Sequence, residues 1–335
     1  MPKDFYWGPV SGQKHRARTA LLPLTPLKNL LGHTFLKKFH LKSLIEKSGR
    51  FFIFTPLIIF LSCATVSPVN SPQKSVIEFS TLEDVKPNWQ SFADGVGFFH
   101  GKIVSPRLEF WTLEIELSAP NVQIVVRGAA EGNLSARVSS FVRDNDLVAG
   151  INAVPFDISS SREGQPIKNV GLVISDGELL SPANPRYDAL IFYKDGGAAI
   201  VSQSAIDTIK DIENAVGGFH QILAGGEPAQ RTLNREKRHP RSAAGVSANG
   251  SRLFLLVIDG RRAGSIGGTE KETAMLLCAL GAEEGINLDG GGSSALALRY
   301  SDGKVRTANI PIHNGIPGTE RAVAGCIGIN LSKEK

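Results

Sequence analysis

The stretch AGVSANGSRLFLLVI, residues 244–258, decides the fold of this chain. Its two arms, Ala244–Ser247 and Arg252–Ile258, flank Asn249-Gly250, and an Asn-Gly pair supplies the positive φ angles of a tight turn. The second arm ends in the apolar residues Phe254–Ile258, which is typical of a strand in the centre of a sheet. The stretch therefore predicts a central β-hairpin.

The chain on both sides of this hairpin predicts more strands. Five further segments alternate or are rich in β-branched and aromatic residues: Phe98–Val104, Glu109–Leu117, Val122–Val126, Ala189–Tyr193 and Ala198–Gln203. The last two flank Asp195-Gly196, which is a second turn signal. Most predicted connections are of hairpin length, so antiparallel pairing is favoured over a doubly wound parallel sheet.

Two segments predict helices. Apolar residues recur with helical spacing in Ser135–Arg143. Thr269 and Glu272 form a capping-box pair at the start of a second helix, in which Cys278 is expected to be buried, and Gly281 ends it. We predict an α+β fold for residues 90–335: a twisted, mainly antiparallel mixed sheet with a few packed helices, in a single domain.

Residues 1–62 have a composition of their own. The first fifty residues carry ten Lys or Arg against two acids, a net charge of +8, whereas the whole chain is +5, so the rest sums to −3. Because the surplus positive charge lies outside the predicted domain, the sequence argues against nucleic acid as a partner.

An apolar run, Phe51–Cys63, follows the basic stretch. It is shorter than the about 20 residues of a membrane-spanning helix, and with its basic flank it is typical of a secretory signal. Leu61-Ser62-Cys63 resembles a lipobox, although Phe60 replaces the usual leucine. We predict an exported protein, periplasmic or at the cell surface. A lipid on Cys63 or the signal segment would hold it at the membrane, with residues 63–89 as a polar tether.

The most informative polar stretch is Asn287-Leu288-Asp289-Gly290-Gly291-Gly292-Ser293-Ser294. Three successive glycines place no side chain between the backbone and a ligand, so their N–H groups can converge on an anion. Asp289 stands at the end of a predicted buried strand, where a carboxylate needs partners. A lone glycine triplet is more often a flexible turn, but the apolar strands on both sides and the aspartate favour a binding site.

Other candidates stand at strand ends or beside proline: Arg241, Asn152, Asp157, His220 and Asp259. Arg241 follows the rigid Pro240, where a guanidinium can meet a phosphate or carboxylate. No cofactor is predicted, because no cluster has metal-ligand spacing. Asp157, Asp259 and Asp289 could nevertheless converge on a divalent cation.

Together these blocks resemble the phosphodiester glycosidase family from about Gly95 to Ile329. The N-L-D-G-G-G-S-S block of that family is similar to Asn287–Ser294, its R-x-P-R-T/S-A-x-G block to Arg238–Gly245, and its V-x-D-G-R block to Val257–Arg261. Many members carry N-G-G-F-F where this chain has NAVPF at Asn152–Phe156. The pocket wall is therefore expected to differ, and an N-acetylglucosamine substrate does not follow from the resemblance.

The resemblance implies hydrolysis of a glycosyl phosphodiester at its anomeric C–O bond. With the predicted export, the reaction is expected in the cell envelope, on a sugar-1-phosphate diester or envelope glycan. The resemblance also implies Asp289 as general base or nucleophile, and Asn152, Asp157 and His220 in supporting catalytic roles. The expected substrate-binding and phosphate-binding groups are Arg241, Asp259, Gly290, Gly291, Gly292, Ser293 and Ser294. Two alternatives are a non-catalytic glycan-binding lipoprotein and a serine hydrolase that uses Ser293.

Overall fold

The computed structural model describes residues 69–72, 76–128, 134–157 and 162–332, all within one compact unit that spans residues 61–335. The apolar run Phe51–Cys63 lies outside the described residues, so export and lipidation at Cys63 stay predictions. No helix in the described ranges is long and apolar enough to cross a membrane.

Strands dominate the described residues. Numbered along the chain, they are β1 (Ile77–Phe79), β2 (Gln90–Ala93), β3 (Val96–Ile103), β4 (Leu108–Glu116), β5 (Val122–Arg127), β6 (Ala149–Asn152), β7 (Phe156–Asp157), β8 (Lys168–Asn169), β9 (Val173–Ser175), β10 (Glu178–Ser181), β11 (Asp188–Tyr193), β12 (Ala198–Ser202), β13 (Ile212–Gly217), β14 (His220–Ala224), β15 (Glu227–Pro228), β16 (Arg241–Val246), β17 (Arg252–Ile258), β18 (Glu284–Asn287), β19 (Leu296–Arg299), β20 (Val305–Thr307), β21 (Ile312–His313), β22 (Ile316–Pro317) and β23 (Cys326–Leu331). The two α-helices there are α1 (Val138–Asp144) and α2 (Glu270–Leu280).

Three sheets hold most of these strands. The large sheet has the order β1-β3-β4-β17-β16-β18-β14-β15, with β2 paired to β3. A second sheet has the order β20-β19-β6-β23-β5, and a third the order β10-β9-β13-β11-β12. The β1–β3 pair is parallel, whereas the other paired strands of these sheets run antiparallel. The predicted antiparallel character is confirmed.

The hairpin that decides the fold is β16–β17 at the centre of the large sheet, paired from Arg241 opposite Ile258 to Val246 opposite Leu253. The residues of β17 after Arg252 are fully buried, as their apolar run predicts. Helix α2 has the predicted capping box: Thr269 N–H donates to the Glu272 carboxylate at 2.9 Å, and Glu272 N–H donates to Thr269 Oγ1 at 3.1 Å. Gly281 ends it with a φ of 108°.

The fold is more β-rich than the predicted α+β class. Three main sheets form instead of one, and many strands have only two or three residues, too few to show a period in the sequence. The prediction for Cys278 was wrong: the thiol is exposed, because α2 turns Ala274 and Leu277 toward the sheet instead. The folded domain also begins before residue 90, since β1 pairs with β3 and Leu82 is buried.

The core has two main parts, one on each face of the large sheet. On one face, residues such as Leu255 and Ile286 pack against Ile151 of the second sheet and Leu190 of the third. On the other face, alternate residues such as Phe254 pack under α2. The end of β18 therefore lies where the large sheet meets the second sheet, and the Asp289 loop begins there.

Candidate active site

The glycine loop after β18 packs tightly on the chain beside it. Gly291 has a φ of +64°, which favours glycine, and its N–H donates to the Pro240 carbonyl at 2.8 Å. A Cβ on Gly290 would lie 3.0 Å from the same oxygen. Gly290 N–H in turn bonds to the Asp289 carboxylate. The protein itself therefore uses two of the three amides that the sequence assigns to an anion.

The backbone of Asp289 is fixed from the second sheet. Its N–H donates to the Ala153 carbonyl at 2.9 Å, and its carbonyl accepts a hydrogen bond from Asn152 Nδ2. Asn152 is fully buried, and its Oδ1 accepts from Ser242 Oγ at 2.7 Å and from Ala295 N–H at 3.1 Å. Asn152 is thus a positioning residue whose polar atoms are engaged by the protein, rather than a group that faces substrate.

The Asp289 carboxyl group is incompletely partnered. The residue is partly exposed, but its Oδ2 atom is buried and has no hydrogen-bond partner. Burial raises the pKa of Asp289 from 3.8 to about 6, and the Ser293 hydroxyl, the Arg321 charge and Gly290 N–H oppose this rise. Native structures rarely leave such an oxygen unpaired, and a catalytic role is one of the explanations for those that are. Asp289 is therefore a candidate reactive group.

Cationic and basic groups surround the loop. Arg321 places its guanidinium 4.8 Å from the centre of the Phe156 ring and Nη1 at 3.4 Å from Ser293 Oγ, while its Nε is buried without a partner. Arg261 Nη2 would be 3.0 Å from a Cβ on Gly291. We call Asp289–Ser294 together with Arg261, His313 and Arg321 the loop cluster.

His313 belongs to the same cluster through a short hairpin. It ends β21, which pairs with β22 across the Asn314-Gly315 turn, and its Nδ1 would be 3.2 Å from a Cβ on Gly292. Burial, then the charges of Arg321 and Arg261, lowers the pKa of His313. Its Nε2 is buried without a partner. His313 is thus a neutral imidazole at neutral pH that can exchange a hydrogen bond with a ligand.

Asp259 lies outside the loop cluster but supports it. Its Oδ1 accepts from Asn309 Nδ2 at 2.9 Å, and its Oδ2 accepts from Ile310 N–H at 3.1 Å and Arg262 Nε at 3.0 Å. Asn309 also donates to the Ser294 carbonyl at 3.1 Å. The predicted phosphate-binding role of Asp259 does not fit these contacts, because both carboxylate oxygens already hold the chain that leads to His313.

Arg241 and His220 lie on the α2 face of the large sheet. The Arg241 guanidinium donates to the carbonyls of Gly268 at 3.0 Å and Lys237 at 2.9 Å and approaches Glu270 at 3.7 Å. His220 Nε2 is 2.9 Å from Glu270 Oε2. The backbone of Arg241 adjoins Gly290, but its side chain and that of His220 do not join the loop cluster.

The remaining predicted residues take different places. Asp157 is exposed on β7, opposite Lys168. Ser293 and Ser294 are buried in the loop cluster, and Ser294 Oγ has no partner. Within the described ranges no three His, Cys, Asp or Glu side chains group so as to hold a metal ion, so Asp157, Asp259 and Asp289 do not converge there.

Three members of the loop cluster, Arg261, His313 and Arg321, are not among the site residues predicted from the sequence. Arg261 ends the Val257–Arg261 block, whereas Arg321 lies within the span of the resemblance but in none of the quoted blocks. No local pattern shows where either side chain ends. His313 precedes Asn314-Gly315, the same turn signal that predicts the central hairpin. That signal could have revealed the β21–β22 hairpin, although not its contact with Gly292.

Comparison with known proteins identifies the family of this chain. The sequence profile of the phosphodiester glycosidase family matches residues 145–330, more than half of the chain, and the chain belongs to that family. The match includes the whole Asp289 loop, Arg261, His313 and Arg321.

Individual relatives are more distant. The SPbeta prophage-derived uncharacterized protein YomE of Bacillus subtilis is 29% identical over 173 residues, which is 48% of this chain and 25% of that protein. The catalytic domain of zebrafish N-acetylglucosamine-1-phosphodiester alpha-N-acetylglucosaminidase, auto-inhibited by its pro-peptide, is 20% identical with a TM-score of 0.56, covering 81% of this chain and 89% of that one. A hypothetical protein from Synechocystis is 16% identical with a TM-score of 0.51, covering 74% and 64%. At these identities the solved structures support the fold alone.

Proposed function

We propose that this protein hydrolyses a glycosyl phosphodiester at the anomeric C–O bond, with Asp289 as its reactive carboxylate. The observation that carries the proposal is the buried, unpartnered Oδ2 of Asp289 beside a loop that packs among cationic groups. Membership of the phosphodiester glycosidase family supports the bond class.

Asp289 suits the role of general base. With a pKa of about 6, the carboxylate is largely ionised at neutral pH and basic enough to accept a proton. Water attacks the anomeric carbon, its proton passes to Asp289, and the bond between that carbon and the phosphate oxygen breaks with its electron pair on the phosphate. The products are a free sugar and a phosphate monoester.

The leaving group explains why one carboxylate can suffice. Ordinary glycosidases use a second carboxylic acid to protonate the leaving oxygen. A phosphate monoester carries the released charge itself, so fixed cations can replace that acid. Arg321 and Arg261 supply such cations in the loop cluster, and His313 adds a hydrogen-bonding group next to Gly292.

A non-catalytic glycan-binding protein would use the same loop without turnover. A serine hydrolase is disfavoured by the geometry, because Ser293 is buried and its hydroxyl already bonds to Asp289 and accepts from Arg321. A fluorophosphonate probe that labelled Ser293 would reverse this order.

The proposal includes the cell envelope as the place of action, with a lipid on Cys63 as the anchor. Its support is the basic and apolar leader of the sequence. Mass spectrometry of the native protein should find a lipid-modified peptide that begins at Cys63. Peptides from residues 1–40 in the envelope fraction would contradict this part of the proposal.

A substrate screen tests the reaction itself. The purified protein is incubated with a panel of sugar-1-phosphate diesters that vary in sugar and anomeric configuration, and the released sugar and phosphate monoester are both measured. In ¹⁸O-labelled water, the label should appear in the sugar and not in the phosphate, because the C–O bond breaks. Label in the phosphate, or no hydrolysis of any diester that binds, would contradict the proposal.

A further inference from the structure

A charged cleft adjoins the loop cluster and plays no part in the reaction described above. It has a volume of about 330 Å³ and is lined by Asn234, Arg235, Glu236, Lys237, His239, Arg241 and Glu270. Small-molecule sites have volumes of this order. A larger cleft, about 470 Å³, is lined by residues such as Val122 and Asn214. The smaller cleft differs from it by including His239 and Arg241, the two neighbours of Pro240.

The cleft and the loop cluster share one stretch of backbone. The Pro240 carbonyl accepts from Gly291 N–H in the loop cluster, while His239 and Arg241 on either side of it line the cleft. Burial, then the charges of Arg241 and of the loop-cluster residue Arg261, lowers the pKa of His239. The loop cluster and the cleft are therefore neighbours on either side of Pro240.

The cleft offers positive charge to a ligand. Glu270, the buried acid of the cleft, already forms ion pairs with His220 at 2.9 Å, Arg235 at 3.3 Å and Arg241 at 3.7 Å. Arg235 is half exposed, so part of its guanidinium can still meet a ligand. Lys237 is exposed, with Glu236 as the opposing charge on the rim.

We infer that this cleft is a subsite for a second anionic group, a phosphate or carboxylate carried by the aglycone. The preferred substrates would then be glycosyl phosphodiesters whose aglycone bears a further negative charge, as in a chain of linked phosphates. The inference rests on the proposed function, since it takes the loop cluster as the site of the first phosphate. Arg235 and Lys237 are its specificity-determining residues.

Binding of leaving-group analogues tests the subsite without knowledge of the sugar. Calorimetry at low ionic strength compares glycerol 3-phosphate with two bisphosphates, glycerol 1,3-bisphosphate and the longer 1,5-pentanediol bisphosphate. The two bisphosphates differ in the distance between their phosphate groups. At least one bisphosphate should bind roughly tenfold or more tightly than glycerol 3-phosphate, the effect of one added charge-assisted hydrogen bond. Inorganic phosphate should bind no more tightly than glycerol 3-phosphate.

Variants separate the cleft from general charge attraction. The double variant Arg235→Ala/Lys237→Ala should remove the bisphosphate preference. Arg231→Ala is the matched control, because this exposed arginine pairs with Asp188 and does not line the cleft, and it should keep the preference. Equal binding of all three esters, or a preference that survives in the double variant, would overturn the inference. If the protein hydrolyses a simple diester but binds the three esters equally, the subsite is refuted and the proposed function is not.

Discussion

Two aspartates at the ends of buried strands, Asp259 and Asp289, differ in how well they are partnered. Burial raises the pKa of both carboxyl groups. Asp259 has hydrogen bonds to both oxygens, from Asn309, Ile310 and Arg262. Asp289 has a buried oxygen with none. Burial alone therefore does not distinguish the two acids, and the unpaired oxygen is the feature that makes Asp289 the candidate base.

The largest expected effect is on stability at Asp259. Asp259→Asn replaces an acceptor by an amide whose N–H₂ must face the donors of Asn309, Ile310 or Arg262, and it removes a buried ion-pair partner of Arg262. We expect a loss of about 3–5 kcal/mol in the free energy of unfolding, measured by urea titration. Asp302→Asn, in an exposed turn, is the control and should leave the unfolding midpoint unchanged. An Asp259→Asn protein as stable as the wild type would contradict the structural role of Asp259.

Arg321 tests the cationic side of the loop cluster. Arg321→Ala should lower kcat/KM for an active diester by roughly tenfold to a hundredfold, because a charge-assisted contact contributes about 1.5–3 kcal/mol. Arg321→Lys should recover only part of this, since a lysine cannot reproduce the planar group that lies over Phe156.

Arg306→Ala is the matched control for Arg321. Arg306 also lies over an aromatic ring, that of Tyr300 at 4.9 Å, but it is outside the loop cluster. Its kinetics should match those of the wild type. Equal effects of the two alanine variants, or no effect of either, would remove Arg321 from the site.

The ionised carboxylate of Asp289 should lower the stability of the fold at neutral pH. Because the folded pKa of Asp289, about 6, exceeds its ordinary value of 3.8, the folded state binds more protons between these pH values, and the free energy of unfolding falls as pH rises through about 6. The change corresponds to on the order of 3 kcal/mol, an upper value because the side chain is partly exposed.

Asp289→Asn should therefore be more stable than the wild type at pH 8 and equal to it below about pH 4. Thermal unfolding at both pH values measures the difference. A variant that is less stable than the wild type at pH 8 would assign Asp289 a structural role like that of Asp259.

The sequence could predict the frame of this site but not its side-chain contacts. The central hairpin, the capping box of α2 and the Asp289 loop follow from local signals of turn, cap and glycine chemistry. Arg241 illustrates the limit. Its neighbour Ser242 faces Asn152, and alternation along β16 sends Arg241 to the opposite face, toward Glu270. Alternation along a strand predicts the face on which Arg241 lies only after the environment of each face is known.

The partners of the buried acids depend on residues far away in the chain. Asn309, which donates a hydrogen bond to Asp259, is fifty residues away from it in the chain. Arg321, whose charge lowers the pKa of Asp289, follows the β21–β22 hairpin. Nothing in a local window distinguishes the saturated aspartate from the unsaturated one. For this reason the sequence predicts both Asp259 and Asp289 as site residues but does not predict which of them lacks hydrogen bonds.

Turnover by Asp289→Asn tests the central claim most directly. The variant keeps the size and much of the hydrogen bonding of the side chain but cannot accept the proton. On a diester that the wild type hydrolyses, kcat should fall by roughly a hundredfold or more, the usual reach of acid–base catalysis, while the affinity for the diester, measured by calorimetry, is kept or increased. A folded Asp289→Asn protein with near-normal kcat would contradict the assignment of Asp289 as the reactive carboxylate.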